Sequence, residues 1–199
     1  MEIISAATLL FLVLDPLGNI PIFLSVLDKV SPERRIRVII RECLLALVVL
    51  VLFLFLGNYV LQFLQLSHHA LSISGGVILF LISIKMVFPV QRSAAYPDEI
   101  DGEPLLVPLA IPMIAGPSAL AIVILMATRE PERIWDWFIA LLAAWFLSSL
   151  ILLSSTGLQK FLGRRGLIAM ERLMGMLLVA LAVQMFLNGV AAYMADLPG

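Results

Sequence analysis

The amino-acid sequence predicts an all-α polytopic membrane protein with six transmembrane helices in two inverted three-helix repeats, the first and fourth helices being broken. Three observations lead there. In a chain of 199 residues, 62% are hydrophobic and 14% charged, with a mean hydropathy of +1.08. The charges cluster between long apolar intervals, and the two halves carry matching proline–glycine interruptions. A soluble fold of this size could not hide so much apolar surface, whereas a bilayer solvates the outward face of every helix.

A spanning helix needs about 20 largely apolar residues. Residues 43–67, 104–128, 137–159 and 173–195 carry no charge, 3–27 carry only Asp15, and 68–91 carry only Lys85. These are the six expected crossings. The intervals are apolar on both parities, which argues against the alternating strands of a membrane barrel. Met1-Glu2 lacks the basic n-region of a cleavable leader, so the first interval reads as mature structure. Cys43 is the single cysteine and cannot form an internal disulfide. A net charge of -1, with the basic residues dispersed, gives no nucleic-acid footprint.

Basic residues are retained on the cytoplasmic side, so orientation follows from where they lie. Lys29, Arg34, Arg35, Arg37 and Arg41 follow the first interval, Arg92 the third, and Lys160, Arg164, Arg165 and Arg172 the fifth. The opposite side holds only Arg129 and Arg133. Both termini are therefore expected to be periplasmic. Asp98, Glu99, Asp101 and Glu103 weigh little in this rule and read as a solvated linker.

The repeat rests on three ordered matches. Pro16-Leu17-Gly18-Asn19-Ile20-Pro21 answers to Pro112-Met113-Ile114-Ala115-Gly116-Pro117, and Ser31-Pro32-Glu33-Arg34 to Glu130-Pro131-Glu132-Arg133. The segment from Gly76 to Met86 answers to that from Gly175 to Met185. The chain divides into a first repeat (1–90), an acidic cytoplasmic linker (91–103) and a second repeat (104–199). An odd number of crossings per repeat makes the second copy enter from the other side, a common plan for secondary transporters.

The candidate site follows from the interruptions. Proline removes a backbone donor and clashes with the preceding turn, so Pro16 and Pro21 are expected to break the first helix, and Pro112 and Pro117 the fourth. Backbone groups freed at mid-depth must be buried in protein or line a wet cavity. The candidate binding residues are Asp15, Gly18 and Asn19 at the first break, Ala115, Gly116 and Ser118 at the second, and Lys85 and Gln184 on the third helix of each half. A charge at mid-depth costs about 3 kcal/mol on insertion scales, so Asp15 should face the interior. It lies about 20 Å down its helix and Lys85 about 24 Å down its own, so the two could meet; Lys85 could equally snorkel to the cytoplasmic surface. Asp15 could also cap the second half-helix.

Other polar groups, including Asn188, read mainly as helix glue, and Ser72, Ser74, Gly75 and Gly76, like Ala140, Ala144 and Ser148, as small-residue packing surfaces. His68 and His69 lack further ligands for a metal. No hydrolase, metalloprotease or phosphate-loop motif is present, and an aspartyl dyad would need a second intramembrane acid. The expectation is no enzyme, no cofactor and no metal.

The chain resembles the MarC family of small bacterial inner-membrane proteins over essentially its whole length. The resemblance is carried by Asp15-Pro16-Leu17-Gly18-Asn19-Ile20-Pro21, by Ile111-Pro112-Met113-Ile114-Ala115-Gly116-Pro117, by Ser74-Gly75-Gly76 with Lys85-Met86, and by Met174-Gly175 with Gln184-Met185. Ser118 stands where the family often has another glycine. The resemblance implies a six-helix plasma-membrane protein, grouped with exporter-like families and classed with neutral amino-acid transporters.

The expected function is transport of a small neutral amino acid or similar solute through a midplane site. Half-helix N-termini would hold a carboxylate, and Asp15 with freed carbonyls an amine or a coupling proton or sodium. The expected partners are thus the lipid bilayer and a small-molecule substrate. A lipid or polyprenyl-phosphate translocase and a non-transporting scaffold are the alternatives.

Overall fold

A computed structural model of the chain describes residues 2–27, 30–88 and 114–196. Among them the chain forms seven α-helices and one 3₁₀ turn, with no strand. The first expected crossing is two helices, α1 (Ile3–Leu14) and α2 (Pro16–Leu27). After them come α3 (Pro32–Phe63), α4 (His68–Val87), α5 (Pro117–Arg129), the 3₁₀ turn Pro131–Arg133, α6 (Ile134–Leu153) and α7 (Ser155–Ala195).

The local chemistry accounts for these boundaries. Pro16, Pro32, Pro117 and Pro131 each open a helix or turn, where the missing N–H has no intrahelical partner in any case. Ser67 caps α4 by accepting the Ala70 N–H at 3.1 Å. Gly163 interrupts α7 with φ 64 and ψ 174, a conformation that a residue with a Cβ reaches only under strain. The Ser31 and Glu130 matches carry the same local bond: Arg34 N–H donates to the Ser31 carbonyl at 2.9 Å, and Arg133 N–H to the Glu130 carbonyl at 3.1 Å.

Among the described residues, five stretches are long and apolar enough to cross a bilayer: Ile3–Pro21, Glu33–Phe63, His68–Val87, Pro131–Leu153 and Arg165–Ala195. α5, with 13 residues, reaches only about 20 Å. It would be the second part of the expected fourth crossing, whose residues 104–113 lie outside the described residues, as do the linker at 91–103 and Pro112. α5 is buried on every side from Ala121 to Ala127, as befits a helix wrapped by neighbours. α3 instead exposes Ile40, Leu44, Val48 and Leu52 at helical spacing, an apolar stripe suited to lipid.

Packing relies on small residues, as membrane helices require. Ala140, Ala144 and Ser148 are all buried on α6, as the sequence predicts. Ser72, Gly75 and Gly76 are buried on α4, while Ser74 is exposed. α6 runs antiparallel to α3: Trp145 Nε1 donates to the Cys43 carbonyl at 2.7 Å, and Phe138 meets Phe55 with centroids 5.9 Å apart. α4 is likewise antiparallel to the later part of α7. His69 meets Tyr193 edge-on, Ser72 Oγ donates to the Met185 carbonyl at 3.0 Å, and Gly175 lies against the Ser83 carbonyl.

One expectation is corrected. Pro21 does not break a helix but lies inside α2. The interruption is at Asp15–Pro16, because Asp15 takes the left-handed conformation (φ 43, ψ 58) that ends α1 one residue before the proline that opens α2. Once the chain has turned there, Pro21 removes only one ladder bond inside an otherwise regular helix.

Candidate functional site

Asp15 joins the two half-helices through its backbone and its carboxylate. Its N–H donates to the Phe11 carbonyl at 3.1 Å and closes α1; its own carbonyl accepts the Asn19 N–H at 3.1 Å and starts α2. The left-handed conformation between these bonds is one that aspartate and asparagine tolerate better than most residues. Asp15 Oδ1 accepts the Gly18 N–H at 3.1 Å, so the carboxylate caps α2 with Pro16 in the first helical position. Asn19 Nδ2 reaches back to the Leu14 carbonyl at 3.1 Å, satisfying an acceptor that the break releases from α1. Asp15 is 6% exposed.

Gly18 is where another helix closes over this carboxylate. A Cβ there would collide with Asp15 Oδ2 and with the methyl group of Met86. Met86 on α4 thus packs against Gly18 beside the Asp15 carboxylate. At 1.5 Å per residue this turn of α4 lies near the level of Asp15, but the residue that arrives is Met86, not Lys85. Lys85 is exposed in the last turn of α4, as snorkelling and the helix dipole both favour, and no ion pair joins it to Asp15.

At the second break, Ile114 and Ala115 are buried and Gly116 has extended backbone (φ -63, ψ 163) immediately before α5. Its carbonyl accepts the Leu120 N–H at 3.0 Å. Ser118, in the first turn, is 4% exposed. Met185, which the repeat match pairs with Met86, lies with its methyl group against Gly75 and Ala121 of α5. Gln184 is not part of this interior: it is exposed and donates to Asn188 Oδ1 at 2.9 Å. Asp15, Gly18, Ala115, Gly116 and Ser118 are therefore buried at the two breaks and Asn19 is half-buried, while Lys85 and Gln184 lie on outer faces.

Two residues escape a reading based on uncharged intervals. Glu42 directly precedes the interval beginning at Cys43, yet it is fully buried, with Arg41 Nε and Nη2 donating to Oε1 at 3.1 and 3.0 Å. A carboxylate abutting a long apolar run was the available signal. Met86 gives no such signal, since a methionine in an apolar helix is ordinary filler. Among the described residues, no cluster of histidine, cysteine and acidic side chains could hold a metal ion.

Comparison with known proteins covers nearly the whole chain. The family described as MarC family integral membrane protein matches residues 1–194. The chain is 49% identical to the UPF0056 inner membrane protein YhgN of Escherichia coli strain K12, over 97% of this chain and 98% of that protein. It is 47% identical to a UPF0056 membrane protein of Buchnera aphidicola subsp. Baizongia pistaciae, over 96% and 98% of the two chains. It is 33% identical to one from Methanocaldococcus jannaschii, over 94% and 95%. No solved structure matches the chain. The extent of these matches, taken with five apolar stretches among the described residues that are long enough to cross a bilayer, establishes that the chain is an integral membrane protein belonging to the MarC family.

Proposed function

We propose that this protein is an inner-membrane carrier, without enzymatic activity, that moves a small neutral amino acid or similar zwitterion through a site between its two broken helices. The observation that carries the reading is a carboxylate, Asp15, buried at a helix interruption inside an apolar bundle. In this reading six crossings form two inverted repeats and both termini are periplasmic. The antiparallel pairing of α4 with α7, whose sequences match, supports the inversion.

Asp15 occupies the amide end of α2, so a substrate carboxylate is better served at the N-terminus of α5, beside Gly116 and Ser118. Asp15 then takes the amine, or a coupling proton or sodium ion. With Met86 over Gly18, the conformation described is occluded, and movement of α4 would open it.

That same closure favours a second reading, a non-transporting scaffold whose polar break is permanently packed shut. Reconstituted vesicles separate the two. Counterflow of labelled neutral amino acids, with and without proton or sodium gradients, is expected for at least one solute. Empty and protein-loaded vesicles that behave alike across the screen would favour the scaffold.

A further inference from the structure

At the end of the bundle where α4 begins and α5 and α7 finish, His68, His69, Arg129 and Asn188 line one open cavity of about 570 Å³ with Ala191 and Ala192. Only two arginines lie on this side by the charge distribution, and they are held differently. Arg133 is neutralised locally: its Nε donates to Asp136 at 2.8 Å, its Nη1 to Glu130 at 3.1 Å, and its guanidinium lies 4.7 Å from the Trp137 ring centroid. Arg129 has no carboxylate partner among the described residues and faces the cavity instead.

Two of the other polar lining groups are oriented by neighbours. His69 is oriented by Asp196, whose Oδ2 lies 2.6 Å from His69 Nε2, and by the edge of Tyr193. Asn188 Oδ1 is engaged by Gln184 Nε2, which leaves the Asn188 amide nitrogen as the group available to the cavity. A guanidinium, the His68 imidazole and an amide nitrogen around one opening, with His69 held against Asp196 at its edge, match a tetrahedral oxyanion, which accepts several hydrogen bonds and neutralises the Arg129 charge. The cavity sits at the helix ends, the depth at which lipid phosphates lie.

We infer that the cavity formed by His68, His69, Arg129 and Asn188 is a phosphate-binding site, independent of the Asp15 break. The phosphate is either free in solution or carried by an anionic phospholipid, and the chemistry at the protein is the same.

Thermal unfolding of the full chain in a neutral detergent tests this. The probes are inorganic phosphate against chloride at matched ionic strength, and phosphatidylglycerol against phosphatidylcholine in mixed micelles. A rise of about 3 °C or more is expected with phosphate, with phosphatidylglycerol, or with both, at saturating probe. A response to phosphate identifies a soluble source, and a response to phosphatidylglycerol alone a lipid headgroup. The response should be lost in Arg129→Gln and in the His68→Gln/His69→Gln double variant. It should persist in Arg133→Gln, which removes an arginine from the same side without touching the cavity. Equal responses in wild type and Arg129→Gln, equal stabilisation by chloride, or no response to any probe would overturn the inference.

Discussion

Gly76 of α4 and Gly175 of α7 make reciprocal contacts across the antiparallel helix pair: Gly76 lies against the Ala182 carbonyl and the Phe186 amide, Gly175 against the Ser83 carbonyl and Val87. The sequence match that pairs Gly76 with Gly175 also pairs Ser83 with Ala182, and Val87 with Phe186. Each contact is therefore the counterpart of the other, as the proposed inverted repeat predicts. A Cβ at Gly76 would stand 2.9 Å from both backbone atoms, and backbone cannot step aside as a side chain can. Gly76→Leu should separate the helices and cost at least about 2 kcal/mol, read as a lowered unfolding temperature in detergent. Gly157→Ala is the control: nothing lies within 4 Å of that position, so it should be neutral or stabilise by up to about 1 kcal/mol. Equal losses in the two variants would show that the α4–α7 contact is not the cause.

Gly163 offers a cleaner test of backbone strain. Its φ of +64 meets no neighbour within 4 Å, so Gly163→Ala introduces no collision. Any loss then comes from the conformation alone and should amount to about 1–3 kcal/mol. An unchanged unfolding temperature would mean that α7 runs straight through this point.

Trp145 ties α6 to α3 through its 2.7 Å bond to the Cys43 carbonyl. Trp145→Phe keeps most of the ring area and removes the donor, so it should cost about 1 kcal/mol. Trp145→Ala should cost about 3 kcal/mol or more, because packing is lost as well. If the two variants are equally destabilised, the hydrogen bond rather than the ring dominates the contact.

Periplasmic termini are expected because ten of thirteen basic residues lie after the expected first, third and fifth crossings. A phosphatase reporter fused after Gly199 should be active in the periplasm, and a fluorescent reporter at the same point dark. The opposite pattern would reverse the whole orientation.

How far the sequence reaches can be judged residue by residue. The helices were legible because uncharged intervals long enough to span a bilayer have few alternatives, and the first break because Asp15-Pro16 combines a left-handed-tolerant residue with a helix-opening proline. That Pro21 continues a helix was not legible, since the local penalty of proline says nothing about where the chain has already turned. Ser118 and Ala115 could be placed at the second break, but the residues before Ile114 that would complete it lie outside the described residues. Depth along the helix found the right turn of α4 opposite Asp15; which side chain faces inward depends on helix rotation, and that brings Met86 inward and leaves Lys85 exposed. Glu42 was hidden by its position beside Arg41, where a boundary charge is ordinarily solvated.

The capping bond from Gly18 to Asp15 makes the role of the acid a sharp question, because a side-chain amide oxygen can accept the same N–H. Asp15→Asn should therefore fold and insert with an unfolding temperature close to that of the wild type. The decisive measurement is gradient-driven solute uptake by Asp15→Asn in reconstituted vesicles, set beside the wild type with the same solute. If the charge binds an amine or a coupling cation, the folded variant loses uptake to background. Uptake by Asp15→Asn at the wild-type rate would contradict the account and leave Asp15 as a helix cap alone.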